Sequence, residues 1–196
     1  MQRHRLLRPL AAALLSLSFV APSAARAEEE AVPAVAEHRF DLVGPSVGIG
    51  HFAAPSSDYS RFIGTVAADA RYAHASGHGV MLRFAYGTNV WGEGFGVELD
   101  YLYRAILAGQ RDVSLGLDFT LGPTATWLEH DEQTIARGTH LGGNAGVSLD
   151  FRAFNFVLSL GGQYRLLIPT DARLDGAPAG PAHAITGTLG AGFTFY

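Results

Sequence analysis

From His183 to Tyr196 the chain alternates strictly: Ile185, Gly187, Leu189, Ala191, Phe193 and Phe195 share one face of an extended chain, and Ala184, Thr186, Thr188, Gly190, Gly192 and Thr194 the other. A period of two predicts a strand that separates two environments. Neither environment is bulk water. One face is apolar and ends in aromatics; the other is small and uncharged, without Lys or Glu. A strand lying between lipid and a narrow, crowded interior has this composition.

The pattern recurs upstream, over residues 40–51, 61–73, 80–87, 95–107, 113–121, 140–151 and 154–168. Residues 95–107 give it most clearly, with Phe95, Val97, Leu99, Tyr101, Tyr103, Ala105 and Leu107 opposite Glu98, Asp100 and Arg104. Residues 40–51 are irregular: Val43, Val47 and Ile49 oppose Gly44, Ser46, Gly48 and Gly50, but Pro45 interrupts them, which predicts a strand end or bulge. Eight such segments, with no run of ~20 apolar residues after the N-terminal region, predict an all-β fold. Backbone groups in lipid must pair internally, so the architecture expected is an eight-stranded antiparallel up-and-down transmembrane β-barrel. The connections support it. Residues 52–60, 88–94, 122–139 and 169–182 are the longer ones and 74–79, 108–112 and 152–153 the shorter, which predicts short periplasmic turns and longer extracellular loops.

Residues 1–27 read as a cleaved signal peptide: Arg3, Arg5 and Arg8, an apolar run from Leu10 to Val20, then Ala25-Arg26-Ala27. Residues 28–39, rich in Glu and Ala, read as a flexible periplasmic leader, and 40–196 as the barrel domain. All fourteen basic residues are Arg and four precede the cleavage site, leaving ten against eighteen acidic residues. An acidic, Lys-free exported chain is a poor nucleic-acid binder. With no Cys, it must hold by packing and ladder hydrogen bonds.

Aromatics gather toward strand ends, with Tyr72, Tyr101, Tyr103, Phe151, Phe154, Phe193 and Phe195 expected at the periplasmic rim and Phe62, Phe84, Tyr86, Phe95 and Phe119 at the other. Periodicity does not say which face points outward. A soluble periplasmic lipocalin-like barrel binding an apolar ligand would turn the apolar face inward, but its polar face should then be rich in Lys and Glu. The Gly, Ser, Thr and Ala found there favour lipid outside. On these features the chain resembles the small eight-stranded outer-membrane barrels of Gram-negative bacteria, the broad OmpA/OmpX/OmpW-like group. The resemblance implies localisation in the outer membrane, a monomer in contact with membrane lipid and lipopolysaccharide, and a final strand read by the outer-membrane assembly machinery. Phe193, Phe195 and Tyr196 are the residues of that signal, although Tyr196 falls one residue past the apolar phase.

Asp69, Arg71, Arg83, Glu98, Asp100, Arg104, Asp118, Asp150 and Arg165 fall on the inward face, with Arg61 nearer the outer rim. Mirroring the strands about their turns brings Arg83 close to Asp69 or Arg71 on one side and Glu98 or Asp100 on the other. An eight-stranded barrel is just wide enough for side chains to fill, so these residues are expected to pair as a lumen ion-pair network with at most weak solute passage. Arg71-Tyr72-Ala73-His74-Ala75-Ser76-Gly77 is similar to the His-x-Ser segment of the lipid A deacylases. That similarity implies His74 as base and Ser76 as nucleophile of an acyl hydrolase. The residues that follow, Gly77-His78, depart from that family, and a turn is the favoured reading. His51, His130, His140 and His183 map to the outer loops or rim, near Glu129, Asp131 and Glu132, with no metal-ligand spacing. No metal and no cofactor are expected. Trp91 and Trp127 fall in outer loops, and binding specificity is expected in 122–139 and 169–182.

Overall fold

The computed structural model describes residues 38–54, 59–89, 92–109, 112–130, 138–171, 173–174, 177–178 and 180–196. The signal peptide and nearly all of the leader lie outside them. Eight long strands run β1 His38–Ala54, β2 Tyr59–His74, β3 His78–Asn89, β4 Gly92–Gly109, β5 Val113–His130, β6 Gly138–Ala153, β7 Phe156–Pro169 and β10 Ala182–Phe195. Two short strands, β8 Arg173–Leu174 and β9 Ala177–Pro178, pair with each other between β7 and β10. The long strands close into an antiparallel barrel in which β1 pairs with both β2 and β10. The fold is an all-β eight-stranded barrel.

Strand tilt can be read from the register. Asp41 lies opposite Arg71, Arg71 opposite Met81 and Met81 opposite Asp100. Asp100 lies against Gly122, Gly122 opposite Asn144, Asn144 opposite Arg165, Arg165 opposite Ala184, and Ala184 opposite Phe52. One circuit thus begins at Asp41 and returns to β1 eleven residues further on, at Phe52. Closure of a small barrel demands such a stagger. It brings side chains from distant strands to one level.

Burial is inverted relative to a water-soluble barrel. Ile49 and Phe62 are 77% and 80% exposed on the outer surface, while Asp41, Asp118 and Asp150 are 0% exposed within the lumen. The chain places its apolar face outward all round, as a lipid-facing barrel requires.

The irregular first strand has a defined cause. The pairing of β1 with both neighbours shifts between Val43 and Ser46, a β-bulge at Gly44-Pro45. Beyond the bulge Val47 and Ile49 face outward. Before it, Phe40 and Leu42 face outward, and Asp41 and Val43 face in. Val43 is therefore a lumen residue, contrary to simple alternation, because the extra residue reverses the phase. Opposite the bulge, β10 supplies Gly190 and Gly192. A Cβ on Gly192 would lie 1.8 Å from the Leu42 carbonyl oxygen, and one on Gly190 would lie 2.6 Å from Ser46 Cβ.

Other boundaries also differ from the sequence reading. β5 continues to His130, so residues 122–130 are strand and the connection is 131–137, outside the described residues. Phe119 consequently sits toward the short-turn end beside Tyr103, not at the far rim. Arg152 is strand, and Phe154-Asn155 forms the turn, with Phe154 at φ 54°. The connections at one end span 75–77, 110–112 and 154–155; those at the other span 55–58, 90–91, 131–137 and 170–181. The contrast in length is concentrated in the last two because the strands, 12 to 18 residues long, extend beyond the ~9–11 a crossing needs.

Gly192→Ala is expected to destabilise the barrel by about 2 kcal/mol or more, since backbone must move to admit a methyl group. Gly143→Ala, whose Cβ meets nothing nearer than 3.6 Å, is expected to stay within about 0.5 kcal/mol. Urea unfolding of both variants in detergent micelles checks the contrast.

Candidate functional site

The inward charges assemble from strands far apart in sequence. Asp69, Arg83 and Glu98 are direct register partners on β2, β3 and β4. Arg83 grips Asp69 with two hydrogen bonds, Nε to Oδ1 at 2.6 Å and Nη2 to Oδ2 at 2.9 Å. Arg104 holds Asp118 in the same bidentate way, both at 2.8 Å, and reaches Asp41 Oδ2 at 2.7 Å. Arg152 donates to Asp41 and Asp150, each at 2.9 Å. Arg71 joins Asp150 at 2.8 Å to Asp69 at 2.7 Å. These charges are buried and paired, as burial of ions demands.

Toward the loops the network changes chemistry. Arg165 pairs with Glu98 and donates to Gln163 Oε1 at 2.7 Å, where Arg83 also donates at 2.8 Å. Gln163 Nε2 passes on to Asn144 Oδ1 at 3.0 Å, and Asn144 Nδ2 to Asp100 Oδ1 at 2.8 Å. Asp100 is buried, but among the described residues no guanidinium pairs with it. Its charge is met by the Asn144 amide, and Gln163 relays to that amide the polarity of Arg83 and Arg165.

Above this layer the lumen becomes apolar. Phe52, Leu167, Ala182 and Ala184 form a buried cluster packed by Ile63 and Leu128. His140 is also buried here, its Nδ1 3.3 Å from the Gly138 carbonyl, rather than solvated at the rim as its position near a loop suggested. A void lined by Arg71, Arg83, Gln163, Gly161 and Thr188, among others, measures about 20 Å³, roughly room for one water. It is far below the ~300–1,000 Å³ of pockets that bury an organic ligand.

Of the lumen residues expected from the sequence, Asp69, Arg71, Arg83, Glu98, Arg104, Asp118, Asp150 and Arg165 all take part in ion pairs. Asp100 is held through the Asn144 amide instead. Two residues of the network escaped the sequence reading. Asp41 was hidden by the bulge, and Arg152 by a turn placed two residues too early; continuing the phase of Ser148 and Asp150 would have found it. Phe193 and Phe195 lie exposed on the outer face, and Tyr196 stacks against Arg39, with the guanidinium carbon 4.8 Å from the ring centre. His51 and His183 are partly buried on the outer face, and Trp127 is exposed there. Trp91, Asp131 and Glu132 lie outside the described residues, as do the side chains of Arg61, Glu129 and His130.

His74 and Ser76 do meet: His74 Nδ1 is 3.0 Å from Ser76 Oγ. The same nitrogen accepts the Ser76 backbone N–H at 3.2 Å, and the Gly77 N–H donates to the His74 carbonyl at 2.9 Å. The local backbone donors that could hold an oxyanion are therefore consumed by the turn.

No protein-family model matches the chain, and no curated protein matches it. Among solved structures, Neisserial surface protein A aligns with a TM-score of 0.52 at 11% identity, covering 83% of this chain and 98% of that one. Ail, the attachment invasion locus protein of Yersinia pestis, aligns at 0.48 and 19%, covering 81% and 99%. The outer membrane enzyme PagL aligns at 0.43 and 9%, covering 76% and 97%. The likeness shows the fold, a small closed eight-stranded antiparallel barrel like that of Neisserial surface protein A.

Arg152→Met is expected to destabilise the barrel by about 3–5 kcal/mol, because it strips Asp41 and Asp150 of a shared partner without removing their charges. Combining it with Asp150→Asn should recover part of that loss, a non-additivity that a double-mutant cycle of urea unfolding measures.

Proposed function

We propose that this protein is a closed outer-membrane β-barrel, non-enzymatic, that serves the envelope as a structural element or through contacts made by its loops. One observation carries the reading: the barrel is apolar on its outer surface and filled within. The outer face of Ile49, Phe62, Leu121 and Leu160 suits lipid, and the strands are long enough to cross it. The lumen offers a solute two successive obstacles, a paired charge layer and the apolar cluster around Phe52 and Leu167. A soluble barrel holding an apolar ligand is disfavoured by the same inversion, since its cavity would have to be the polar, occupied side.

Loop contacts are the remaining place for specificity. The β7–β10 connection carries the β8–β9 hairpin and is tied to β6, with Thr170 N–H donating to the Thr139 carbonyl at 3.0 Å and Thr139 N–H to Asp171 Oδ1 at 2.7 Å. A second reading, a lipid A acyl hydrolase, is favoured by the contact between His74 and Ser76 and opposed by the consumed backbone donors.

Planar-bilayer recording is expected to give no steady, large single-channel current from the folded protein; such a current would contradict a closed lumen. Heat-modifiable migration and outer-membrane fractionation test the membrane placement, and a freely soluble mature protein would overturn it. For the hydrolase reading, Ser76→Ala is expected to leave the lipid A mass profile unchanged from that of the wild type, and loss of a deacylated species would revive it.

A further inference from the structure

We propose that one flank of the short-turn rim, formed by β1 to β4, binds the phosphodiester headgroup of a membrane phospholipid. The inference rests on the membrane-spanning reading above. Three histidines lie exposed along this flank: His38 opens β1, His74 closes β2 and His78 opens β3. His38 Nδ1 lies 2.6 Å from the Tyr72 hydroxyl, His78 Nδ1 bonds the Tyr101 hydroxyl, and His74 Nδ1 takes the Ser76 backbone N–H. The rings of His38 and His74 are 5.6 Å apart, and His78 packs on Tyr103 at 5.3 Å.

These partners decide where the ring protons sit. A backbone N–H can only donate, so His74 Nδ1 is an acceptor and the neutral ring carries its proton on Nε2. A phenol is a stronger acid than a neutral imidazole, so Tyr72 and Tyr101 donate to Nδ1 and leave the same tautomer on His38 and His78. The flank thus presents a row of Nε2–H donors. Further along the same strands, toward the bilayer centre, the outer surface is apolar, with Phe40, Leu42, Val80 and Leu99 exposed. Donors above an apolar wall match the two ends of a phospholipid, phosphate oxygens above acyl chains. Asp41, Asp69, Glu98 and Asp100 of these strands all point inward, and the exposed Asp112 lies beyond β4, its carbonyl bonded to the Phe154 N–H of the β6–β7 turn. The other strands end instead in Phe151, Phe156, Phe193 and Phe195, the last of these beside Phe40 at the edge of the flank. Among the described residues no three metal-ligating side chains converge, so the histidines do not form a metal centre.

The test uses the full mature chain folded in nonionic detergent and titrated with phosphatidylglycerol or with diacylglycerol of the same chains, bound lipid being counted by native mass spectrometry. The wild type is expected to favour phosphatidylglycerol by about tenfold or more. His38→Phe combined with His78→Phe keeps the aromatic rim and should bring the preference near unity, while His51→Phe at the far end leaves it unchanged. Excess inorganic phosphate should not displace the lipid. Equal uptake of the two lipids by the wild type, a preference that survives the double substitution, or displacement by free phosphate overturns the proposal. The wild-type comparison needs no variant, so it decides even if the double variant does not fold. Heat-modifiable migration of the same samples separates the two readings: a protein that needs no detergent overturns the membrane placement, whereas a folded barrel blind to the phosphate overturns only the headgroup site.

Discussion

The row Asp69–Arg83–Glu98 fixes which way the strands face, and most of the structure depends on that choice. Side chains alternate strictly, so slipping one strand by a residue would exchange its two faces. For β3 such a slip would carry Arg83 toward lipid, at a cost of about 2–4 kcal/mol near the bilayer midplane, and would leave Asp69 buried without its bidentate partner. Buried ion pairs are weak evidence for stability in themselves, because hydrophobic replacements of equal volume often do as well. Their contribution here is specification. An interior of Val and Leu would give strands apolar on both faces, with nothing to tell lipid from lumen.

The strand tilt explains how so many charges share one level. A circuit of register partners climbs from Asp41 to Phe52, so residues at different distances from their strand ends meet across the lumen. Arg71 on β2 reaches Asp150 on β6, and Arg152 on β6 reaches Asp41 on β1. The same circuit places Phe52, Leu167 and Ala184 above the charges. The lumen therefore carries two chemistries in series, a paired charge layer and an apolar cluster.

Strands and faces were legible because alternation is a direct imprint of two environments. The inward charged residues from Asp69 to Arg165 could be assigned to the lumen from phase alone, but their partners could not, since pairing across the barrel depends on shear. Asp41 shows the limit of phase: one extra residue at Gly44-Pro45 reverses it, and no periodicity before the bulge predicts that after it. The extension of β5 to His130 was illegible for another reason. Gly122 opens the stretch 122–139 assigned to a connection, yet it is needed within the strand where Asp100 lies against its backbone, with Asp100 Oδ1 2.5 Å from the position of a Cβ. The pairing of His74 with Ser76 was implied only by the resemblance to the lipid A deacylases, with a turn as the favoured reading, and the use of the local backbone donors by that turn was visible only in three dimensions.

A filled lumen moves any chemistry to the two rims, and the rims are unlike each other. At the loop end the β7–β10 connection carries a hairpin and is tied to Thr139 through Thr170, so contacts there would be made by ordered β-structure as well as by connecting loops. At the turn end the connections are too short to reach a distant partner, and the outward side chains of β1 to β4 are left to meet whatever lies at the membrane surface. Tyrosine alone would serve an aromatic girdle. Histidines whose Nδ1 atoms are already satisfied add a directed donor at each ring, and among the described residues of this rim they occur on β1 to β3. That asymmetry sets β1 to β4 apart from the strands that end in Phe151, Phe156 and Phe193.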